Sequence, residues 1–302
     1  MVKFEKVAFK GLKDCVKLSN DFAELIVPTA LGIRILSYRR KGGENVLKVF
    51  DGQIKTKDKQ EWQSFGGHRL WHSPEEFPRT YEIDGAPLEG WEWTGKELLL
   101  TQKPDAVSGI KKQVTVRLDE NSGRVFLSHR LTNLNAWEIE VSAWALTVLK
   151  EGGFCAFKIP ENYNALLPNW NIALWPYTKI NDKRLYPGDK IISIRQFADA
   201  ETPFKLGAFA SYGAAAYFVG RDVFKKTFGC GAAARQYPDF GCNFESYTNA
   251  EMLECESLSP LTRLKCRESV VWDEVWSIGE LPKELKYDDE KEILKILTRG
   301  DT

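Results

Sequence analysis

An excess of basic charge is missing from this 302-residue chain: 42 Lys and Arg balance 42 Asp and Glu, and no long basic run stands out. Nucleic-acid binding needs a stripe of cations to neutralise phosphates, so nucleic acid is not an expected partner. Long apolar runs are missing as well. No stretch approaches the roughly eighteen apolar residues that a bilayer-spanning helix requires, so no membrane contact is expected. The opening residues, Met1 to Asn20, interleave Lys, Asp and Glu with short apolar pairs rather than forming the apolar stretch of a secretory signal, and a cytoplasmic location is the expectation. The six cysteines (15, 155, 230, 242, 255 and 266) contain no C-x-x-C pair, which leaves neither a zinc knuckle nor a redox motif and favours buried thiols. Gly-x-Gly-x-x-Gly after a strand, the P-loop and the Gly-x-Ser-x-Gly elbow are likewise absent, against nucleotide-cofactor and serine-hydrolase chemistry.

What the chain does have is apolar content of 43% and charged content of 28%, ordinary for a globular protein with a sizeable core. Its apolar residues fall on alternate positions. In Gln113-Val-Thr-Val-Arg-Leu118, and again at Val125, Leu127 and Leu131, the period of two marks strands with one buried face. Short strands bounded by Gly, Pro, Asn or Asp are expected over 22–27, 32–39, 97–103, 111–118, 124–133, 138–149, 190–196, 214–220, 243–247, 252–258 and 269–278. Helical signals are confined to a turn near Pro74–Phe77 and a charged tail over 283–297. No repeat or Ser/Gly linker divides the chain. The Pro- and Asn-rich stretch 160–176 is the best boundary candidate, yet its Trp170 and Trp175 suit a packed or ligand-facing loop. The expected architecture is an all-β, large antiparallel β-sandwich spanning residues 1–302 as a single domain, with few short helices.

Several segments carry a resemblance. Val27-Pro-Thr-Ala-Leu-Gly-Ile-Arg-Ile-Leu-Ser-Tyr38 followed by Gly42-Gly-Glu-Asn-Val-Leu47 resembles the opening hairpin of the galactose mutarotase-like (aldose 1-epimerase) superfamily. Residues 261–278, with Arg267-Glu-Ser near the middle, resemble its closing pair of strands, although Cys266-Arg267 stands where Pro-Gly is usual. Between them, Gly66-Gly-His-Arg-Leu-Trp-His-Ser-Pro-Glu75, Trp144-Ala-Leu-Thr147, Leu167-Pro-Asn-Trp170 and the segment from Tyr237 to Asn249 look like an uncharacterised branch of that superfamily, over about residues 15 to 280. The resemblance implies a carbohydrate as small-molecule partner, no cofactor, and an anomer-interconverting isomerase as one activity of the scaffold. The superfamily's catalytic histidine in N-H-x-Y-F-N-L has no counterpart: the corresponding strand reads Ser142-Ala-Trp-Ala-Leu-Thr147. Leu253-Glu-Cys-Glu-Ser-Leu-Ser-Pro260 echoes the segment bearing the catalytic glutamate, which places Glu256 at the base position.

The residues themselves suggest a site. In extended backbone His68 and His72 share a face with Leu70, behind the paired Gly66 and Gly67, and a cleft histidine can act as general acid at a sugar ring oxygen. The alternative is that these histidines only hydrogen-bond the backbone around the double-glycine turn. His129 shares an apolar face with Val125, Leu127 and Leu131, reads as a core histidine and is left out of the site. Glu254 and Glu256 share one face of their strand, where mutual repulsion would raise a pKa toward neutrality; the plain alternative is a solvated outer face. Asn243, Glu245 and Tyr247 also share a face, with Glu245 a second candidate base. Arg69, Trp71 and Trp170 complete the expected substrate-binding set, since aromatic rings stack on pyranose faces and charged groups take the hydroxyls. Trp272 and Trp276 are expected in the core. His-x-x-x-His without an adjacent Glu is a weak metal pattern, and no metal is expected. Two further functions stay open beside an epimerase: a sugar-binding or sensing module without chemistry, and a glycan hydrolase or lyase.

Overall fold

Alternation of side chains along a strand lets a sheet bury one face, and two such faces packed together make a sandwich. The computed structural model describes residues 1–55, 62–82, 85–161, 166–231 and 233–299. Within them the chain forms a four-stranded, a ten-stranded and an eight-stranded sheet, antiparallel throughout their paired strands. With 47% strand and 7% helix it is all-β, as the period-two pattern implied.

Ile110–Leu118 and Val125–Asn133 show the pattern most plainly, buried residues alternating with half-buried or exposed ones along both. They pair in the ten-stranded sheet, where Val125–Asn133 also lies against Ser269–Glu280. The apolar face of this sheet meets the inner face of the eight-stranded sheet. Val114, Val116, Leu127, Leu131, Tyr217, Trp272 and Trp276 from one side and Leu70, Ala143, Ala145, Phe204, Leu206 and Phe244 from the other form one core. Trp272 and Trp276 thus fill the space between sheets. The C-terminal helix Glu290–Thr298, inside the tail that read as helical, covers the back of the ten-stranded sheet by setting Ile293 and Leu297 against Phe154, Ala156, Ile191 and Phe218.

The sequence reading differs from the structure in places. Residues 1–20, for which no strand was expected, form two paired strands, Lys3–Phe9 and Leu12–Ser19. They were obscured because their outward positions are lysine, aspartate and glutamate, which break up the apolar pattern. The segment 32–39 divides into Arg34–Ile35 and Ser37–Arg40, which belong to different sheets. Near Pro74–Phe77 the chain turns without forming a helix. The stretch 160–176 lies partly outside the described residues. All six cysteines are thiols, but Cys266 is exposed and Cys230 half-buried, so the expectation of buried thiols fails for these two. Among the described residues no helix is long and apolar enough to cross a membrane.

Candidate functional site

The eight-stranded sheet has a second, outward face, and its register decides which side chains appear there. Five neighbouring strands carry it: His68–Ser73, Ile139–Leu149, Leu253–Leu258, Phe244–Thr248 and Phe204–Ala208. Directly opposed residues line up in rows across them. Arg69 faces Leu146, Leu146 faces Glu256 and Glu256 faces Glu245. In the next row Val148 faces Glu254, Glu254 faces Tyr247 and Tyr247 faces Lys205. In a third, Trp71 faces Trp144. Side chains in register across a sheet point the same way, so these rows form one surface.

Gly66 and Gly67 set the start of the first of these strands. Both have positive φ, +80° and +74°, and a Cβ there would sit 2.2 Å from the Lys48 carbonyl oxygen and 2.3 Å from that of Ile35. The double glycine therefore fits the chain against its own backbone. This fixes the phase of the strand that follows, turning Arg69 and Trp71 outward.

Over this surface lies a cleft of about 250 Å³, walled by Trp62, Trp71, Tyr81, Trp144, Tyr177 and Tyr247. Its charged lining groups are Glu75, Arg69, Lys205 and Glu254. Trp71 meets Trp62, Tyr81 and Trp144 edge to face, with centroids 5.3, 5.0 and 5.5 Å away. The protein's own cations lie on these rings, Arg69 4.7 Å from the Trp71 centroid and Lys205 4.6 Å from that of Trp144. Arg69 donates to Glu254 across 3.2 Å. Lys205 Nζ lies 2.8 Å from Glu245 Oε2 and 3.0 Å from Glu256 Oε2, and the latter oxygen also accepts from Trp144 Nε1 at 2.9 Å.

One ammonium cannot balance two carboxylates when all three groups are buried. Burial pushes the Glu245 carboxyl well up, Lys205 opposing and Glu256 adding to the rise; Glu256 is raised too, chiefly by burial. Burial works against the charge on Lys205, but Glu245 and Glu256 outweigh it and hold its pKa well above the usual lysine value. Unpaired polar atoms remain around the cleft. Nε1 of Trp62 and Trp71, Nε of Arg69, and Oε1 of Glu245 and Glu256 are buried without a hydrogen-bond partner among the described residues.

The sequence-derived candidates divide. Arg69, Trp71 and Glu254 line the cleft, and Glu245 and Glu256 lie directly beneath it, Glu256 roofed by Lys205 and Trp144. The expectation of a cleft histidine is corrected. His68 and His72 do share a face, but it is the inner one, because Arg69 and Trp71 take the outer. His72 is fully buried and neither ring nitrogen has a partner among the described residues. Asn243 is occupied by backbone, donating to the Ala210 carbonyl and accepting from the Ala210 amide at 2.6 Å. Trp170 packs against the core and is not part of the cleft lining. Lys205, Trp62, Trp144, Tyr81 and Glu75 were missed. Lys205 lies in Phe204-Lys-Leu-Gly-Ala208, where a lysine enclosed by apolar strand residues was the available signal.

His68 belongs instead to a polar cluster inside the sandwich. His129 Nδ1 donates to the Trp272 carbonyl at 2.9 Å, so its Nε2 accepts from His68 Nε2 at 2.8 Å, and His68 Nδ1 accepts from the Thr147 hydroxyl at 3.0 Å. Lys226 donates to Thr147 Oγ1 at 3.2 Å and pairs with Glu274 at 2.7 Å. His68, His129 and Glu274 come close enough for a cation, but their lone pairs and protons are committed to one another and the Lys226 ammonium already neutralises the carboxylate. This cluster is a buried ion pair with a satisfied hydrogen-bond chain.

No family model and no curated protein matches the sequence. Solved structures do match its shape. A Synechocystis sp. PCC 6803 protein superposes with a TM-score of 0.60 at 13% identity, covering 88% of this chain and 96% of its own. A galactose mutarotase-like protein of Clostridium acetobutylicum gives 0.55 at 10% identity, covering 93% and 99%. Another from Lactobacillus casei gives 0.53 at 10%, covering 88% and 100%. The fold is galactose mutarotase-like. In this galactose mutarotase-like sandwich the outward face of the eight-stranded sheet carries the cleft, and no histidine lies in its lining.

Proposed function

We propose that the protein binds a monosaccharide in this cleft. The observation that carries the reading is the juxtaposition of aromatic walls with buried, unpartnered donors and acceptors. A pyranose offers both complements, apolar ring faces for the aromatic wall and hydroxyls that accept from the Trp62 and Trp71 indoles and pair with the Ser64 hydroxyl. The volume of about 250 Å³ lies just below the usual range for drug-sized ligands, which suits one sugar ring and disfavours a polymer groove of the kind a glycan hydrolase or lyase needs. The galactose mutarotase-like fold supports the same class of ligand.

Anomer interconversion is the second reading, favoured by a carboxylate, Glu254, and an ammonium, Lys205, that both line the cleft. In it Glu254, in the cleft lining, takes the anomeric hydroxyl proton. The C1–O5 bond breaks as Lys205 protonates the ring oxygen, and reclosure on the other face returns both protons. Saturation-transfer NMR between α and β anomeric protons, run over a panel of aldoses, tests both readings. Broadened sugar lines without added exchange support binding alone, and exchange above the solvent rate supports the enzyme. Unperturbed spectra for every sugar would overturn the carbohydrate reading.

A further inference from the structure

The charges of the cleft's basic groups are matched by carboxylates and one of its acids has no ion pair. Arg69 is matched by Glu254, and Lys205 by Glu245 and Glu256. Glu75, exposed at the rim, accepts from the Tyr81 hydroxyl and forms no ion pair among the described residues. It shares the cleft lining with Lys205 and Tyr177. An incoming anion meets this carboxylate and finds the charges of Arg69 and Lys205 already neutralised by Glu254, Glu245 and Glu256, with only Arg69 Nε left to donate, so a full ion pair requires breaking a buried one, which is costly. Arg79 and Arg235 are not in the lining and offer no replacement.

A cation meets the opposite environment. It gains the Glu75 carboxylate beside the Tyr81 and Trp62 rings, whose π faces attract positive charge. Resting on the monosaccharide reading, we propose that the preferred ligand is an aldose bearing a free amine, and that phosphorylated or carboxylated sugars are excluded. The ring stacks on tryptophan, the hydroxyls meet the unpartnered indole, Arg69 and Ser64 atoms of the lining, and the ammonium lies at the Glu75 rim.

Isothermal titration tests this with matched sets: glucose, glucosamine, N-acetylglucosamine and glucose 6-phosphate, and the galactose counterparts. The amine is expected to bind about fivefold more tightly than its parent sugar, the scale of one partly exposed ion pair. Acetylation removes that gain, and the phosphate ester binds most weakly. In Glu75→Gln the amine-to-parent ratio falls to near one, whereas Glu76→Gln, outside the lining, keeps it. A parent sugar that binds as well as its amine, or a phosphate ester that binds best, overturns this inference and leaves the carbohydrate reading standing. Absence of binding by every sugar overturns both.

Discussion

Glu245 stands directly opposite Glu256 on the neighbouring strand, and the two carboxyls share a single ammonium, that of Lys205. This arrangement makes the floor of the cleft sensitive to the loss of any one member, since all three side chains are buried.

Lys205→Met is expected to destabilise the protein by about 3–5 kcal/mol at neutral pH, because it leaves two buried carboxyls without a cation. With both carboxyls protonated the deficit disappears, so the loss shrinks as pH falls. Urea denaturation at pH 7.5 and pH 5 measures it, and adding Glu256→Gln to the variant restores part of the stability. An equal loss at both pH values would count against the shared-ammonium account.

Trp62→Ala removes a half-buried cleft wall that touches Trp71 and Tyr81. Loss of one stacking ring is expected to weaken sugar binding roughly tenfold, with only a small change in melting temperature. Titration calorimetry beside a thermal melt separates the two effects, and unchanged affinity would remove Trp62 from the site.

The buried histidines set an acid limit. Burial, then Lys112 and Arg79, lowers His72 to about 3, while burial first of all lowers His68 and His129. An unfolded histidine titrates near 6.5, so between that pH and about 3 the unfolded chain binds more protons and stability falls with acidification. Each fully engaged histidine contributes about 1.4 kcal/mol per pH unit. His72→Leu is expected to flatten the slope and to keep or raise stability at pH 7, since it removes two unpartnered polar atoms. Urea midpoints from pH 7 to pH 5 give the slope. Ligand affinity should not change, because His72 faces away from the cleft; a weakened ligand would reverse that placement.

Lys226→Met strands Glu274 inside the sandwich, where both side chains are fully buried. The expected cost is about 3–5 kcal/mol, and Lys226→Met combined with Glu274→Gln should recover much of it. A double-mutant cycle by chemical denaturation reads the coupling directly, and additive losses would argue against a structural ion pair.

The strand pattern was legible in the sequence because its cause is local. Ile110–Leu118 and Val125–Asn133 alternate plainly because each has one buried and one more open face. The same rule correctly coupled His68 with His72 and Glu254 with Glu256, since alternate residues in extended backbone share a side whatever surrounds them. Which side became the cleft was decided only by tertiary structure. His68–Ser73 and Leu253–Leu258 are buried along their whole lengths, one face against the ten-stranded sheet and the other under the aromatic floor, so no contrast between polar and apolar positions marks the inward direction. That direction was set by the positive-φ turn at Gly66 and Gly67 and by pairing with strands far away in the chain. The same long-range pairing brought Lys205 beside Glu256, 51 residues later, and so assembled a charged floor that no single segment contains.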